Sequence, residues 1–335
     1  MSAVRDWLVA ADDRTGAFEV AALFAHVIGP TLVTVGWPAG ESCVVDIATR
    51  TLPADEAAAR AAAVEATPSS WAAHKIDSMQ RGQWVAELRT RQQVSGRRVV
   101  VLPAWPEMGR TCIGGVVHVH GAPLGNVLEL MPGSVLLANV AALREWLAGD
   151  GLLAVCDIAD DATMHAAAAV LAAVDSNVLV AGPAGPLGAV FAARSSRRNP
   201  SVPPSLDDPV LVVCGSANPV SHEQVARLAA AHPDVVVVTV VEPDNERDLD
   251  VGVAAALAEE ARATAVALRP GTIVLIGGDT AAAYLGDSPR VVGGSVAPGM
   301  PFSHDELGGG PTVITKAGGF GAPDALVQLF SRRAH

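Results

Sequence analysis

Short apolar runs alternate with Ala-rich stretches along most of the chain, and this alternation restricts the possible folds most strongly. Runs such as CVVDIA, NVLVAG and TIVLIGG are built mainly from Val, Ile and Leu, whereas intervening stretches such as DATMHAAAAVLAAV have helical spacing. Strands that are apolar on both faces are typical of parallel sheets covered by helices on both sides. The sequence therefore predicts an α/β protein in which mostly parallel sheets are flanked by helices.

The length of the chain favours two domains. It has 335 residues, half of them hydrophobic, which is more than a single domain usually carries. The segment 194–208 is rich in Pro, Ser and charged residues and lacks a hydrophobic period, as is typical of a linker. We therefore predict an N-terminal domain over 1–193, a linker over 194–208 and a C-terminal domain over 209–335.

Charge and cysteine content exclude several classes of function. The net charge of −12 and the lack of a basic tract argue against a nucleic-acid partner. The four cysteines are far apart and form no CxxC pair, which indicates neither a zinc site nor a disulfide framework and favours a reducing cytoplasm. The chain shows no signal-peptide core and no apolar stretch of the roughly 20 residues that a membrane helix needs. We expect small-molecule partners, and the sequence leaves open a homo-oligomer.

The stretch WLVAADDRTGAFEVAALFA, residues 7 to 25, combines an apolar run with two adjacent acids. Asp12 and Asp13 fall at the carboxyl end of the first predicted strand, where ligands bind in open α/β sheets. Thr15 could cap the following helix, and Gly16 permits a close backbone approach. An ordinary capping turn would explain one acid at this position, because Asp is common at helix starts. The second acid favours a functional site, and both interpretations stay open.

A dense polar segment, KIDSMQRG, supplies the next group of candidates. Only two of the 23 basic residues are lysines, Lys75 in this segment and Lys316 in TKAGGFG, and both lie in short polar stretches. Cations suit a carboxylate, and Asp and Ser suit hydroxyl groups, so the segment fits a polyhydroxylated acid; a solvated loop is the alternative. The candidate residues are Lys75, Asp77, Ser78 and Arg81, with Arg110 beyond a later strand.

Three glycine-containing turns follow strands in the second half of the chain. They are CGSANPVSHEQV, IGGDTAAAYLG and TKAGGFGAPDALVQLF, and the last is expected to lead into a helix whose free N–H groups suit phosphate. None matches the P-loop, and GGFG does not match GxGxxG. Each turn alone could be structural, but three together, one with a lysine, favour a nucleotide-binding domain.

These motifs resemble those of the four-carbon acid sugar kinases, a family that was formerly a domain of unknown function. ADDRTGA resembles ADDxTGA, KIDSMQRGQWVAE resembles KIDSTLRGxxxAE, and LPAWPEMGRT corresponds to APAFPxxGR. Later segments also resemble family motifs: VCDIADDATM, VAGPAGPLGAVFA, VLVVCGSANPVSHEQV, IGGDTAAAY, VAPGMP and TKAGGFG. Their number and order, over nearly the whole length, make the resemblance specific.

The resemblance implies an N-terminal sugar-acid domain, a C-terminal ATP domain and an active site in the cleft between them. The implied reaction, with ATP and Mg²⁺, transfers the γ-phosphoryl group to a hydroxyl of a four-carbon acid such as threonate, erythronate or 3-oxo-tetronate. Asp13 is the expected base, and Asp12 would orient the sugar or a magnesium-bound water. No metal ligand is assigned.

The resemblance also implies two sets of binding residues. The sugar acid would be held by Arg50, Lys75, Asp77, Ser78, Arg81 and Arg110. The nucleotide would be held by Ser216, Gly277, Gly278, Asp279, Thr280, Lys316, Gly318, Gly319 and Gly321.

Departures from the family pattern leave alternative functions open. Met79 and Gln80 replace Thr-Leu, Ala317 and Gly319 replace Ser and Asn, and Asp279 shortens a Glu. One alternative is therefore a divergent member that binds a nucleotide or metabolite without turnover, or that phosphorylates a different small hydroxy acid. A nicotinamide-dependent oxidoreductase is disfavoured because GxGxxG is missing after the first strand.

Overall fold

The computed structural model describes residues 5–174, 176–199, 201–240 and 251–333, and it shows a mixed α/β protein with a mostly parallel arrangement of strands, as predicted. Within these ranges the strands are β1 (Arg5–Ala11), β2 (Thr31–Val35), β3 (Cys43–Asp46), β4 (Ser69–Lys75), β5 (Arg98–Val101), β6 (Arg110–Ile113), β7 (Val116–Val119), β8 (Ala122–Asn126), β9 (Val135–Leu137), β10 (Leu153–Cys156), β11 (Val178–Gly182), β12 (Val210–Cys214), β13 (Val236–Thr239), β14 (Thr272–Ile276), β15 (Arg290–Ala297), β16 (Met300–Asp305) and β17 (Thr312–Lys316). The helices are α1 (Arg14–Ile28), α2 (Ala54–Glu65), α3 (Trp84–Ser95), α4 (Val127–Leu130), α5 (Val140–Ala148), α6 (Asp161–Leu171), α7 (Ala184–Arg194), α8 (Pro219–Ala231), α9 (Val251–Leu268), α10 (Gly278–Leu285) and α11 (Ala325–Phe330).

The chain divides into two compact units. The first contains Met1–Ile28 and Thr34–Asn199, and the second contains Gly29–Val33 and Pro200–His335. The short segment Gly29–Val33 thus belongs to the second unit although it lies near the start of the chain. No composition signal in the sequence marks this segment, because its assignment depends on pairing with a distant strand.

A parallel sheet of seven strands forms the centre of the first unit, in the order β3-β1-β4-β11-β5-β10-β9. Strand β4 carries the sequence SSWAAHK and pairs with both β1 and β11, so Lys75 ends a buried strand instead of lying in a polar loop. His74 is fully buried and lies 2.8 Å from the Glu87 carboxylate, which satisfies a ring nitrogen inside the protein. The apolar neighbours of these side chains allow the strand to form.

A small antiparallel sheet, in the order β6-β7-β8, follows the strand β5 of the first unit. It begins at Arg110, one of the predicted site residues. A backbone bridge between Cys112 and Ile158 ties its first strand to the segment after β10. The sheet therefore holds Arg110 at a fixed place in the first unit.

The sheet of the second unit has a parallel and an antiparallel part. Strands β13-β12-β14-β17 are parallel, and β16, β15 and β2 continue the sheet antiparallel. Apolar side chains fill both faces of the parallel part, including Val212, Ile276 and Ile314 on one side and Val213, Leu275 and Val313 on the other. This matches the uninterrupted Val/Ile/Leu runs of the sequence.

Across the described ranges, no helix is both long and apolar enough to cross a membrane.

Candidate functional site

Three neighbouring parallel strands of the first unit end at the same level. Ala11 of β1 is in register with Asp46 of β3 on one side and with Lys75 of β4 on the other. The two acids of the opening motif, Asp12 and Asp13, directly follow Ala11. Since the carboxyl ends of parallel strands meet at one edge of a sheet, the register brings these charged groups together. We call Asp12, Asp13, Arg50, Lys75 and Asp77 the first-unit cluster.

Asp12 is the most enclosed member of the first-unit cluster, with 1% of its surface exposed. The guanidinium of Arg50 donates two hydrogen bonds to its carboxylate, at 2.8 and 2.9 Å. The backbone carbonyl of Asp12 accepts from the N–H groups of Thr49 and Arg50, at 3.0 and 3.2 Å. Burial raises the pKa of Asp12, although the Arg50 charge opposes this. Both carboxylate oxygens are engaged, so this side chain is fixed in place.

Asp13 is more accessible and caps the helix α1. Its carboxylate accepts from Thr15 Oγ1 at 2.7 Å, from the Gly16 N–H at 2.9 Å and from Arg50 Nη1 at 3.1 Å, and Arg50 Nη2 lies 3.0 Å from its other oxygen. The expectation that Thr15 caps the helix is therefore wrong, because the Thr15 hydroxyl donates to the capping acid. Burial alone would raise the pKa of Asp13, but the charges of Arg50 and Lys75 and the Thr15 bond outweigh it and lower the pKa. Capping and a functional role, which the sequence left as alternatives, are compatible at this residue.

Lys75 reaches the same place through the gap that a glycine leaves. A Cβ atom on Gly16 would lie 2.5 Å from Asp13 Oδ1 and 2.7 Å from Lys75 Nζ. Only glycine permits the ammonium and the carboxylate to approach the helix so closely. Lys75 is 4% exposed, and its Nζ makes no hydrogen bond to another residue in the part of the chain that the structure describes. Its charge acts on the surrounding carboxylates, including those of Asp12, Asp13 and Asp77, while its N–H donors stay unused among the described residues.

Asp77 links the first-unit cluster to Arg81. Its carboxylate accepts from Arg81 at 2.8 and 3.2 Å and lies 3.3 Å from Arg50 Nη1. Burial alone would raise the pKa of Asp77, but the Arg81 bond and the Arg50 charge hold it well below its usual range. The Arg81 side chain is half-exposed, and Ser78 is half-buried. Asp77 orients two arginines, while the sugar-binding role predicted for Ser78 remains a prediction.

Arg110 lies at the start of the small antiparallel sheet and is largely buried. Its Nη1 donates to the Met108 carbonyl at 2.8 Å, and its Nη2 lies 3.9 Å from Met79 Sδ. Burial lowers the pKa of Arg110, against the charges of Glu19 and Asp77. The departure at Met79 therefore places a soft, polarisable sulfur beside a predicted substrate-binding arginine.

Sequence reasoning missed three charged residues of this region. Glu19 lies one helical turn beyond Gly16, where burial raises its pKa and the Lys75 charge opposes the increase. Arg14 and Asp46 form a buried ion pair at 2.9 Å, and burial raises the pKa of Asp46 to about 6 despite Arg14. The signal for Asp46 is the same as for Asp12, an acid at the end of an apolar run. For Glu19 the signal is its helical spacing from Gly16.

The predicted nucleotide residues gather at one edge of the second unit. Cys214, Ile276 and Lys316 are in register at the carboxyl ends of β12, β14 and β17. Gly277 directly follows β14, and Ser216 follows β12 after Gly215. The parallel register therefore brings the three glycine-containing turns together within this unit. This agrees with the strand-end rule, by which ligands bind at the carboxyl ends of parallel strands.

Lys316 is buried and turns onto the chain that follows it. It is 1% exposed, and its Nζ donates to the carbonyls of Ala317 and Gly318 at 3.1 and 3.0 Å. Burial lowers the pKa of Lys316 to about 8, with a small opposing effect of Cys214. We call residues 316–322 the Lys316 loop.

The turn after β14 combines a glycine at positive φ with a hydroxyl that has no hydrogen-bond partner among the described residues. Gly277 has φ +109°, and a Cβ there would lie 3.1 Å from Thr280 Oγ1 and 3.4 Å from the Ser216 nitrogen. Thr280 is 1% exposed, and its hydroxyl has no hydrogen-bond partner among the described residues. Helix α10 begins at Gly278, with Asp279 exposed in its first turn. A free donor at a helix N-terminus fits an anionic ligand.

The Lys316 loop passes close to the turn after β12. A Cβ on Gly318 would lie 2.2 Å from Ser216 Oγ, and one on Gly319 would lie 3.0 Å from Asn218 Nδ2. The helix expected to follow this loop is short and begins only at Ala325. The phosphate contacts expected from the N-terminus of this helix stay a prediction.

The described parts of the chain contain no group of three or more His, Cys, Asp or Glu side chains placed to hold a metal ion. The metal ligands, which the sequence did not assign, stay unassigned.

Comparisons with known proteins identify relatives of the chain. Residues 7–128 match the model of a sugar-binding N-terminal domain. A D-threonate kinase of Cupriavidus necator is 31% identical over 265 residues, or 66% of this chain and 63% of that protein. The chain therefore spans less than two thirds of that relative. A D-threonate kinase of Bordetella bronchiseptica is 27% identical over 401 aligned positions, covering 96% of this chain and 95% of that protein.

A solved structure supports the fold. A Haemophilus influenzae protein of the DUF1537 family matches with a TM-score of 0.69 at 20% identity, over 97% of this chain and 98% of that one.

Proposed function

Because the chain belongs to the four-carbon acid sugar kinase family, we propose that it transfers the γ-phosphoryl group of ATP to a hydroxyl of a four-carbon sugar acid. The names of its relatives support this acceptor class, since two of them are D-threonate kinases. The first acceptors to test are threonate, erythronate and 3-oxo-tetronate.

One observation carries the proposal. Lys75 is a buried cation whose Nζ makes no hydrogen bond among the described residues, and its charge acts on the nearby carboxylate of Asp13. A hydroxy acid offers both groups that this pair needs: a carboxylate for the ammonium and a hydroxyl for the carboxylate. The Arg50 guanidinium contacts three carboxylates and so holds the cluster together, and its predicted contact with the sugar acid stays a prediction.

Asp13 is the residue proposed to accept the proton of the attacking hydroxyl. It is more exposed than Asp12, although Arg50 contacts the oxygens of both carboxylates. The lowered pKa of Asp13 keeps it ionised, and therefore able to accept a proton, throughout the neutral range. Asp12 would fix Arg50 and so the orientation of Asp13. A late proton transfer to an aspartate suits phosphoryl transfer, which depends mainly on alignment and charge neutralisation.

The second unit is the proposed site of ATP. Lys316 ends β17, and the free hydroxyl of Thr280 lies in the helix that follows the adjacent parallel strand β14. The charge of the Lys316 ammonium and the Thr280 donor together fit phosphate, although the ammonium itself donates to two backbone carbonyls. When bound to the phosphates, Mg²⁺ would neutralise charge on their oxygens. Ser216 and the glycines of the three turns would let the backbone approach the nucleotide closely.

A thermal-shift titration followed by a turnover assay tests this function. We expect Mg-ATP to raise the melting temperature, because a ligand that binds only the folded state stabilises it, and NAD to leave it unchanged. ADP release should then depend on one of the four-carbon acids. Stabilisation by ATP without turnover on any acid would instead support a binding protein or an altered acceptor. Absence of any response to ATP would refute the kinase.

A further inference from the structure

We infer that Gln224, with Ser221, is a positioning residue that aims the backbone N–H groups of Gly318, Gly319, Gly321 and Ala322 at the phosphates that the proposed function brings to this loop. The phosphate part of this inference rests on the proposed function. The holding of the loop by Gln224 stands on its own contacts and can be tested without a nucleotide.

Gln224 contacts the Lys316 loop from helix α8. It is fully buried, and its Nε2 lies 3.0, 3.2 and 2.9 Å from the carbonyl oxygens of Phe320, Gly321 and Ala322. An amide nitrogen has two hydrogens, so these three acceptors share two donors. The contact orients three consecutive carbonyls of the loop toward one side chain.

Ser221 adds a second contact from the same face of α8, one turn earlier. Its Oγ donates to the Gly318 carbonyl at 2.7 Å, and the side chain is fully buried. The same carbonyl accepts from Lys316 Nζ at 3.0 Å. Helix α8, the loop backbone and the lysine are therefore joined at one oxygen atom.

The direction of these carbonyls fixes the direction of the N–H groups. In a trans peptide the C=O and the N–H of the next residue point opposite ways. The carbonyls of Ala317, Gly318, Phe320 and Gly321 are held by Lys316, Ser221 and Gln224, so the N–H groups that follow them point away from these side chains. The carbonyl of Ala322 precedes Pro323, which has no N–H.

The four N–H groups are free to bind a ligand. Those of Gly318, Gly319, Gly321 and Ala322 donate no hydrogen bond to any residue of the described ranges. Successive N–H groups aimed to one side form a concavity that binds anions. Because Ala317 and Gly319 lack the side-chain donors of the family pattern, the backbone is the available source of donors. The Lys316 ammonium, on the carbonyl side, polarises the first two peptides.

Labelled lysine gives a direct test, because the chain contains only Lys75 and Lys316. In Gln224→Met the donors are lost at similar volume, so the loop should open and hydrate the Lys316 ammonium. Nuclear magnetic resonance of ¹³C- and ¹⁵N-lysine protein, without nucleotide, should then show the pKa of Lys316 rising from about 8 toward its ordinary value. The Lys75 resonance is the internal control.

Turnover gives the second readout. The KM for ATP should rise about tenfold or more in Gln224→Met, the scale of losing hydrogen bonds at a charged ligand, while the KM for the acid stays within about twofold. Gln328→Met is the matched control, because Gln328 is exposed on α11 and its side-chain amide donates to Asp324 at the start of the same helix, away from the Lys316 loop contacts. Ser221→Ala, which removes one bond, should change both readouts in the same direction but less, and it remains informative if Gln224→Met folds poorly.

The outcomes separate the two parts of the inference. An unchanged Lys316 pKa and ATP KM in folded variants would overturn the positioning role of Gln224. If the wild type fails to bind Mg-ATP, the phosphate part fails with the proposed function, whereas a raised Lys316 pKa in Gln224→Met would still establish that α8 holds the loop. A raised pKa with an unchanged ATP KM would overturn the phosphate part alone.

Discussion

The two units each present a lysine as the last residue of a buried parallel strand, but they surround it differently. Lys75 ends β4 among carboxylates and arginines that pair with one another, whereas Lys316 ends β17 among backbone carbonyls. The carbonyls carry no full charge, so burial lowers the pKa of Lys316 to about 8. Under the proposed function, the first arrangement would orient a charged ligand by side chains, and the second would do so mainly by backbone.

The largest expected effect tests whether the carboxylates of the first unit do chemistry or only hold positions. Asp13→Asn should lower kcat about a thousandfold, the typical scale of a lost general base, and leave the ATP-dependent rise in melting temperature intact. Asp55→Asn, exposed in the first turn of α2, is the control. Turnover near the wild-type rate in Asp13→Asn would show that another group accepts the proton.

Replacing each lysine by methionine tests whether Lys75 and Lys316 bind different ligands. Lys75→Met should abolish stabilisation by the acid and keep that by Mg-ATP, and Lys316→Met should do the reverse. Each loss should reach about tenfold to a hundredfold in affinity, the scale of a charge-assisted hydrogen bond. If either variant lost both responses while melting as the wild type does, the two-site assignment would be wrong.

The environment of Lys316 predicts how the affinity for Mg-ATP depends on pH. An anion favours the protonated ammonium, and the lowered pKa means that the proton is lost as the pH rises through about 8. Affinity for Mg-ATP should therefore fall above pH 8, and this fall should disappear in Lys316→Met. Calorimetric titrations between pH 7 and 9 measure it. A pH-independent affinity would indicate that the ammonium does not act on the phosphates.

The smallest effect concerns strain beside the first-unit cluster. Gln80 has φ +58°, in the left-handed region, and its buried amide has no partner among the described residues. Gln80→Gly should raise the free energy of unfolding by about 1 kcal/mol, because glycine adopts this conformation without strain and removes the unpaired amide. Thermal or urea unfolding checks this. A destabilised variant would mean that the packing of the Gln80 side chain contributes more than the relief of backbone strain and the removal of the unpaired amide together.

The strand-end rule was the most productive part of the sequence analysis. It predicted Asp12, Asp13 and the three turns of the second unit because apolar runs and the residues after them are local features. It missed the end of β4, because His74 and Lys75 are polar and so do not extend the apolar run in the sequence. In the structure both side chains are buried, and His74 is paired with Glu87. The site role predicted for each residue remains to be tested by the variants above.

Other parts of the site depend on contacts that no local pattern encodes. In the sequence, Gln224 stood out only as part of a motif that resembles the family. Its contacts are with a loop about 100 residues later, which no local pattern predicts. Arg14 and Asp46 pair across 32 positions. The Cβ clash at Gly16 likewise involves Lys75, which only the strand register brings there.

The segment Gly29–Val33 has a consequence for the order in which the protein is made. Its strand β2 pairs with β15 across about 260 residues, so the second unit completes its sheet with a piece synthesised long before the rest. A polypeptide released before β15 emerges would leave that early segment without its partner. A fragment starting at residue 200 would leave the β15 edge uncovered, and uncovered strand edges recruit other chains.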